Sequence, residues 1–149
     1  MNAARAGVFP AMLHDPFADA LTQPFWDAAL EGWLRAPQCR GCATVLLPPQ
    51  PYCFQCQGHE FTWIDLPGTG TVFSYTVVRH PLWPSLGEVV PYASGVIELD
   101  GTQGAGARML CNIVDCDPNE VRIGMRVQVF FERVSDTFAM PRCRPIPPG

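Results

Sequence analysis

Four cysteines carry the most strongly patterned chemistry in this sequence. Cys39 and Cys42 have two residues between them, ten residues follow, and Cys53 and Cys56 repeat the spacing. A two-residue gap lets a tight turn aim both sulfurs, with nearby backbone amides, at one point. Two such knuckles facing each other make the tetrahedral four-thiolate shell that Zn²⁺ takes at about 2.3 Å per bond. Four sulfurs close the shell and leave no position for a catalytic water, so the role they imply is structural. Iron in a rubredoxin-like site is sterically equivalent, and spacing leaves it open. A redox C-x-x-C would need only one knuckle and is expected beside a βαβ pattern. A secreted disulfide framework favours an even number of cysteines, and this chain has seven. His59 follows Cys56 by three residues, but with the shell already filled it is expected on the surface.

No catalytic set accompanies the cluster. All ten basic residues are arginine, which removes Schiff-base, phosphate-loop and general-base lysines. His80 and Ser85 are near each other in sequence, yet no G-x-S-x-G elbow or third partner is specified. Cys111, Cys116 and Cys143 are candidate thiol nucleophiles only in name, and Cys111, within an apolar strand, reads as a small core residue. Glu98, Asp100, Asp115 and Asp117 fall at strand ends, where solvated turn residues are ordinary. No glycine-rich run links a strand to a helix, so dinucleotide and phosphate-loop readings fail. No catalytic residue is assigned to this chain. Ten arginines against 14 acidic residues give a net charge of -4, a poor balance for gripping a phosphate backbone. A nucleic-acid-binding barrel therefore enters only as an alternative.

The elements that must position the knuckles come next. With 149 residues, 48% hydrophobic and 16% charged, the chain holds one or two small units. It has no uncharged apolar stretch of about 18 residues, and Pro10, His14 and Asp15 interrupt any leader-like apolar core. A cytoplasmic placement is the expectation. Residues 1–21 read as an irregular arm. From Thr22 the text TQPFWDAALEGWLR predicts a helix, with Thr22 as cap, Pro24 in the first turn, and Trp26, Leu30, Trp33 and Leu34 on one apolar stripe. Val45, Leu46 and Leu47 predict one ribbon strand and residues 61–64 another. The PGTG at 67–70 marks a boundary. Beyond it, residues 71–78, 92–99, 108–114, 126–131 and 137–140 predict five short strands, with a helical or turn spacer at 117–120 and a loose tip near Gly104 and Gly106. Five strands with a spacer after the third fit a partly open OB-fold barrel. The proline-rich tail from residue 141 is expected to be extended. The fold class is mainly β: arm and helix over residues 1–36, zinc ribbon over 37–67, OB-fold domain and tail over 68–149. The long connection 79–92 carries His80, Trp83 and four more Pro and Tyr residues, and reads either as a barrel-mouth cover or as a contact surface.

Taken together, FWDAALEGWL, the two knuckles, LPPQPYC, GTGTVFSYTVV, PYASGVIELDG and IGMRVQVFFE resemble one family over roughly residues 22–140. It is the zinc-ribbon plus OB-fold family called domain of unknown function 35, acyl-CoA-associated. The resemblance places Cys39, Cys42, Cys53 and Cys56 at the metal positions and Phe25 and Trp26 in the helix signature. Gly70, Tyr75 and Thr76 fall in the first-strand pattern, and Gly124 and Val127 at the closing strand. Ala43 departs from the usual glycine after the first knuckle, where a left-handed backbone would cost alanine about 1 kcal/mol. Gln50 departs from an arginine after the double proline, which weakens phosphate binding there. The resemblance implies a zinc-binding accessory subunit of a thiolase-like aldolase, a carbon–carbon lyase acting on acyl-CoA thioesters in steroid side-chain catabolism. Its catalytic residues would belong to the partner of a hetero-oligomer, and acyl-CoA would lie at or near the interface. Alternatives are a partner of a MaoC-like enoyl-CoA hydratase or of a thiolase-like acyltransferase. Trp26, Trp33, Trp83 and Phe138 are candidate interface anchors, and Arg79, Arg108 and Arg126 candidate phosphate contacts.

Overall fold

A computed structural model describes residues 18–149 of the chain. Most of the irregular arm expected at the N-terminus lies outside these residues. The first element is α1 (Gln23–Leu30). Pro24 sits in its first turn, where a missing N–H costs nothing. Thr22 occupies the cap position but makes no cap bond with its side chain. Its hydroxyl donates instead to Asp19 Oδ1 at 2.9 Å, and Asp19 N donates back to Thr22 Oγ1 at 3.2 Å.

The helix is shorter than its sequence pattern suggests. Gly32 takes a φ of 86°, Gly32 N donates to Ala29 O at 3.1 Å, and Trp33 N donates to Ala28 O at 2.9 Å. That pair of bonds is the Schellman stop, which needs a left-handed residue and gets glycine. The stripe of Trp26, Leu30, Trp33 and Leu34 is therefore broken. The buried helical face is Phe25, Ala28 and Ala29, Leu34 is buried from beyond the helix, and Trp33 is left 56% exposed.

Strands β1 (Arg35–Cys39) and β2 (Phe61–Asp65) form the antiparallel ribbon hairpin. Arg35 clamps its cross-strand partner Asp65 through bonds of 2.6 and 3.1 Å, which holds the Asp65 carboxyl below its usual range. The apolar run at 45–47 forms no strand; Val45 makes only an isolated bridge to Gln38. Pro37, which has no N–H to donate, disguised β1 in the sequence.

The remaining strands are β3 (Thr69–Val78), β4 (Tyr92–Leu99), β5 (Arg108–Ile113), β6 (Arg126–Ser135) and β7 (Phe138–Pro145). They close into a barrel of order β3-β4-β5-β7-β6, with β5 and β7 parallel and the other neighbours antiparallel. This is an OB-fold order, closed rather than partly open. β7 is the element that sequence underestimated. It extends to Pro145, and the segment expected as an extended proline-rich tail supplies Arg142 and Cys143 to the pairing with both β5 and β6.

Strict alternation along β4 sends Ala93, Gly95, Ile97 and Leu99 inward. They pack with Val72, Met109, Ile113, Val127 and Val129, and the same core accepts Phe25, Leu34, Ala36, Val45 and Leu66. Helix, ribbon and barrel thus share one apolar interior. Phe25 meets Phe131 at 6.4 Å between ring centres, and Trp26 meets Phe138 at 5.0 Å. The tip between β4 and β5 is tied down: Gln103 bridges Thr44 of the ribbon, and the Thr102 hydroxyl donates to Leu99 O at 2.9 Å. Asp100 fastens the seam between β3 and β6. It accepts from Arg126 and from Thr69, and these bonds hold its carboxyl below the usual range, the arginine contributing most.

Gly70 pairs with Leu99 on β4 and Val127 on β6. A Cβ at Gly70 would stand 2.5 Å from Glu98 O and 2.8 Å from Ile97 Cγ2. Because one of these is backbone, the strands must separate to admit a methyl group. Gly70→Ala is expected to lower unfolding free energy by about 1–3 kcal/mol, the usual cost of overpacking, in urea denaturation. An unchanged midpoint would mean that the seam has slack.

Candidate metal centre

The two knuckles are built alike, residue for residue. In the first, Ala43 N donates to Cys39 O at 2.9 Å and Cys39 N donates to Thr44 O at 2.8 Å. In the second, Gln57 N donates to Cys53 O and Cys53 N to Gly58 O, both at 2.8 Å. The residue after each second cysteine is left-handed, with φ of 61° at Ala43 and 63° at Gln57. Each turn also points the amide two residues beyond its second cysteine at that sulfur: Thr44 at Cys42, Gly58 at Cys56. The expected strain at Ala43 is present, and Gln57 carries a second instance that sequence reading passed over.

The sulfurs of Cys39, Cys42, Cys53 and Cys56 all lie within 4.8 Å of one another. Cys39 Sγ is 3.5 Å from Cys56 Sγ, and Cys42 Sγ is 3.6 Å from Cys53 Sγ. A tetrahedron with zinc–sulfur bonds of about 2.3 Å has edges of about 3.8 Å, so the donor set fits the ion. Cys39 and Cys53 are buried, Cys42 is half-buried and Cys56 is exposed. Hydrogen bonding with the Thr44 side chain and backbone pulls the Cys42 thiol down to about 6. At Cys56 the Gly58 amide pulls downward, but the adjoining Cys39 and Cys42 sulfurs outweigh it and push the thiol up to about 12. Four thiolates cannot share so small a space without a cation to offset their repulsion. His59 is exposed, with Nδ1 3.3 Å from Pro51 O and its ring against Tyr52, outside the sulfur cluster.

Other candidates resolve differently. Cys111 and Cys143 are buried in the barrel, and burial pushes the Cys111 thiol well up. Cys116 is also pushed up, by burial and then by Glu120, Asp115 and Asp117. Asp117 caps the short turn Pro118–Glu120 by accepting from Asn119 N at 2.8 Å. At Cys111 and Cys116 these surroundings disfavour the thiolate. Arg108 is engaged by Glu98 at 3.0 Å and lies 3.7 Å from the centre of the Phe73 ring. Arg126 is engaged by Asp100, and Arg79 donates to Asn119. Of the proposed aromatic anchors, Phe138 is buried and Trp26 half-buried against it, so neither is a free anchor; Trp33 and Trp83 remain exposed. The loop 79–91 turns its apolar residues both ways. Leu86 and Val89 are buried, while Leu82 is 76% exposed and Trp83 59%. Sequence gave no sign of an apolar groove of about 330 Å³ where α1, the ribbon turn and the barrel wall meet, lined by Phe25, Trp26, Leu47, Met109, Leu110 and Met140.

The geometry defines a class: a four-cysteine zinc ribbon joined to a closed OB-fold barrel. Residues 26–62 match the family described as ChsH2, rubredoxin-like zinc ribbon domain, and residues 63–132 match ChsH2, C-terminal OB-fold domain. The chain belongs to this ChsH2-type DUF35 family. A DUF35 domain-containing scaffold protein of Methanocaldococcus jannaschii is 38% identical over 100 residues, 66% of this chain and 67% of the relative. The 3-oxo-4,17-pregnadiene-20-carboxyl-CoA hydratase alpha subunit of Mycobacterium tuberculosis is 30% identical over 122 residues, 82% of this chain. This chain spans only 37% of that subunit's length. Among solved structures, a chain of the Ltp2-ChsH2(DUF35) aldolase superposes with a TM-score of 0.75 at 29% identity, covering 88% of this chain and 98% of the neighbour. Among the described residues, no helix is long and apolar enough to cross a membrane.

Relief of the left-handed strain at Ala43 is directly measurable. Ala43→Gly is expected to raise the stability of the metal-loaded protein by up to about 1 kcal/mol, since glycine takes positive φ without a Cβ clash. A lower melting temperature in calorimetry would show that the Ala43 methyl packs usefully.

Proposed function

We propose that this chain is a non-catalytic, zinc-binding accessory subunit of a thiolase-like aldolase complex acting on acyl-CoA thioesters of steroid side chains. The observation that carries the reading is the superposition on the aldolase-complex chain, which is matched over 98% of its length. The steroid substrate class is supported by the pregnadiene-carboxyl-CoA named in the M. tuberculosis relative. Cys39, Cys42, Cys53 and Cys56 hold the zinc, which locks the knuckles and takes no part in the reaction. Exposed Leu82, Trp83 and Trp33 offer aromatic and aliphatic anchors for a partner, and the groove beside α1 borders the barrel wall that would face it.

A second reading has its own support. The hydratase alpha subunit aligns with 82% of this chain, so the same ribbon and barrel would serve a MaoC-like hydratase partner instead.

The metal assignment predicts that Cys39→Ser and Cys53→Ser each lose zinc, from about one ion per chain to none, because a four-sulfur shell tolerates no missing ligand. Metal analysis of the purified variants, with thermal melting, checks this; full zinc content in either variant would refute the ligand set. For the partner, purification of this chain alone is expected to give no turnover of an acyl-CoA. Co-expression with a thiolase-like protein is expected to give a stable complex that cleaves a carbon–carbon bond. Stable pairing with a hydratase-like protein and water addition to an enoyl-CoA would favour the second reading. A thiolase-like partner fully active without this chain would rule out the first.

A further inference from the structure

The four sulfurs differ in a way that a closed metal shell does not require. Cys56 is exposed and Cys42 half-buried, whereas Cys39 and Cys53 are 2% and 0% exposed. The close contacts Cys39–Cys56 at 3.5 Å and Cys42–Cys53 at 3.6 Å both run between knuckles, and both join an accessible sulfur to a buried one. An oxidant arriving from solvent meets Cys56 first, and the sulfur waiting 3.5 Å away belongs to the other knuckle.

We infer that the ribbon is a peroxide-sensitive metal switch, in which oxidation at Cys56 forms a Cys39–Cys56 disulfide across the knuckles and expels the zinc. The inference rests on the zinc assignment above. Cys56 Sγ attacks one peroxide oxygen, the O–O bond breaks, hydroxide departs, and Cys56 is oxidised by two electrons to the sulfenic acid. Cys39 Sγ then attacks Cys56 Sγ, the S–S bond forms, and the sulfenic hydroxyl leaves as a second hydroxide. Two protons from solvent convert both hydroxides to water. Two thiolates have become one disulfide, and one peroxide has become two waters. Only Cys42 and Cys53 then remain as thiolate ligands, too few to retain a structural zinc ion. Contraction to the ordinary S–S length of about 2.05 Å needs side-chain movement of little more than an ångström, and the new bond keeps the two knuckles together after the ion leaves. Reduction by a thiol reverses the step.

The sequence makes the bond pattern readable. Trypsin cuts after Arg35 and Arg40 and isolates Cys39 from Cys42; chymotrypsin cuts after Tyr52 and Phe54 and separates Cys53 from Cys56. The zinc-loaded full chain is treated with hydrogen peroxide, zinc release is followed with a colorimetric chelator, and non-reduced peptides are mapped by mass spectrometry. The expected result is release of about one zinc per chain in step with a Cys39–Cys56 linked peptide, both reversed by dithiothreitol with zinc restored. Linkage within a knuckle, Cys39 to Cys42 or Cys53 to Cys56, would overturn the inference. So would zinc release with Cys56 as a sulfinic or sulfonic acid and no disulfide, or zinc retention while Cys56 is modified. Zinc content before treatment judges the metal assignment separately, since a chain that never held zinc still reports its bond pattern.

Discussion

Four sulfurs held within 4.8 Å of one another are the constraint on which the first half of this protein depends. The ribbon's own buried cluster is just Cys39, Leu46 and Cys53, far too little apolar area to offset the ordering of some thirty residues. Coordination by the cysteines therefore adds to what the burial of Ala36, Val45 and Leu66 against the barrel supplies. The local backbone has been shaped for that end, down to two left-handed residues where a Cβ is unwelcome. Such strain persists only where the surroundings over-determine it, and here matched amide bonds in both knuckles do so.

The second half is held differently. The barrel closes on itself through short pairings of β3 with β6 and of β5 with β7, and apolar side chains from all five strands fill its interior. The two halves are joined through the core rather than by a linker. Phe25, Leu34, Ala36, Val45 and Leu66 enter the barrel's own cluster, and Gln103 at the β4–β5 tip reaches back to Thr44 beside the knuckle. A change in the metal shell would therefore be felt at Thr44, which bonds both the Cys42 sulfur and the barrel's hairpin tip. What remains outside this shared core is a set of exposed apolar groups, Trp33, Leu82 and Trp83 among them, on a protein whose arginines are mostly engaged internally. The family to which the chain belongs has relatives named as scaffold proteins and as subunits of larger enzymes.

Legibility followed the range of the interaction. Strand β4 was readable to the residue because its alternation is strict and its ends carry Pro91 and Asp100-Gly101. The knuckles were readable because two-residue spacing is a local geometric requirement. The helix stripe was misread because the stop at Gly32 depends on a left-handed turn that competes with an apolar period continuing past it. β7 was underestimated because its partners, Asn112 on β5 and Phe130 on β6, are distant in sequence, and Pro141 and Pro145 argue locally against a strand. The same reason hid β1, whose pairing with β2 spans the whole metal loop.

The sequence by itself determined the sulfur count and spacing, the mainly β class, the order of ribbon before barrel, and the lack of lysine chemistry. Each of these is set by residue identity or by periods of two to four residues. Only the tertiary structure decided that the barrel closes through a parallel β5–β7 seam, that helix and ribbon share its core, and which arginines and aromatics are already engaged. It also decided that each close sulfur pair joins a buried atom to an accessible one across the knuckles. Those outcomes depend on contacts between segments far apart in the chain, where what a residue meets, and not what it is, fixes its role.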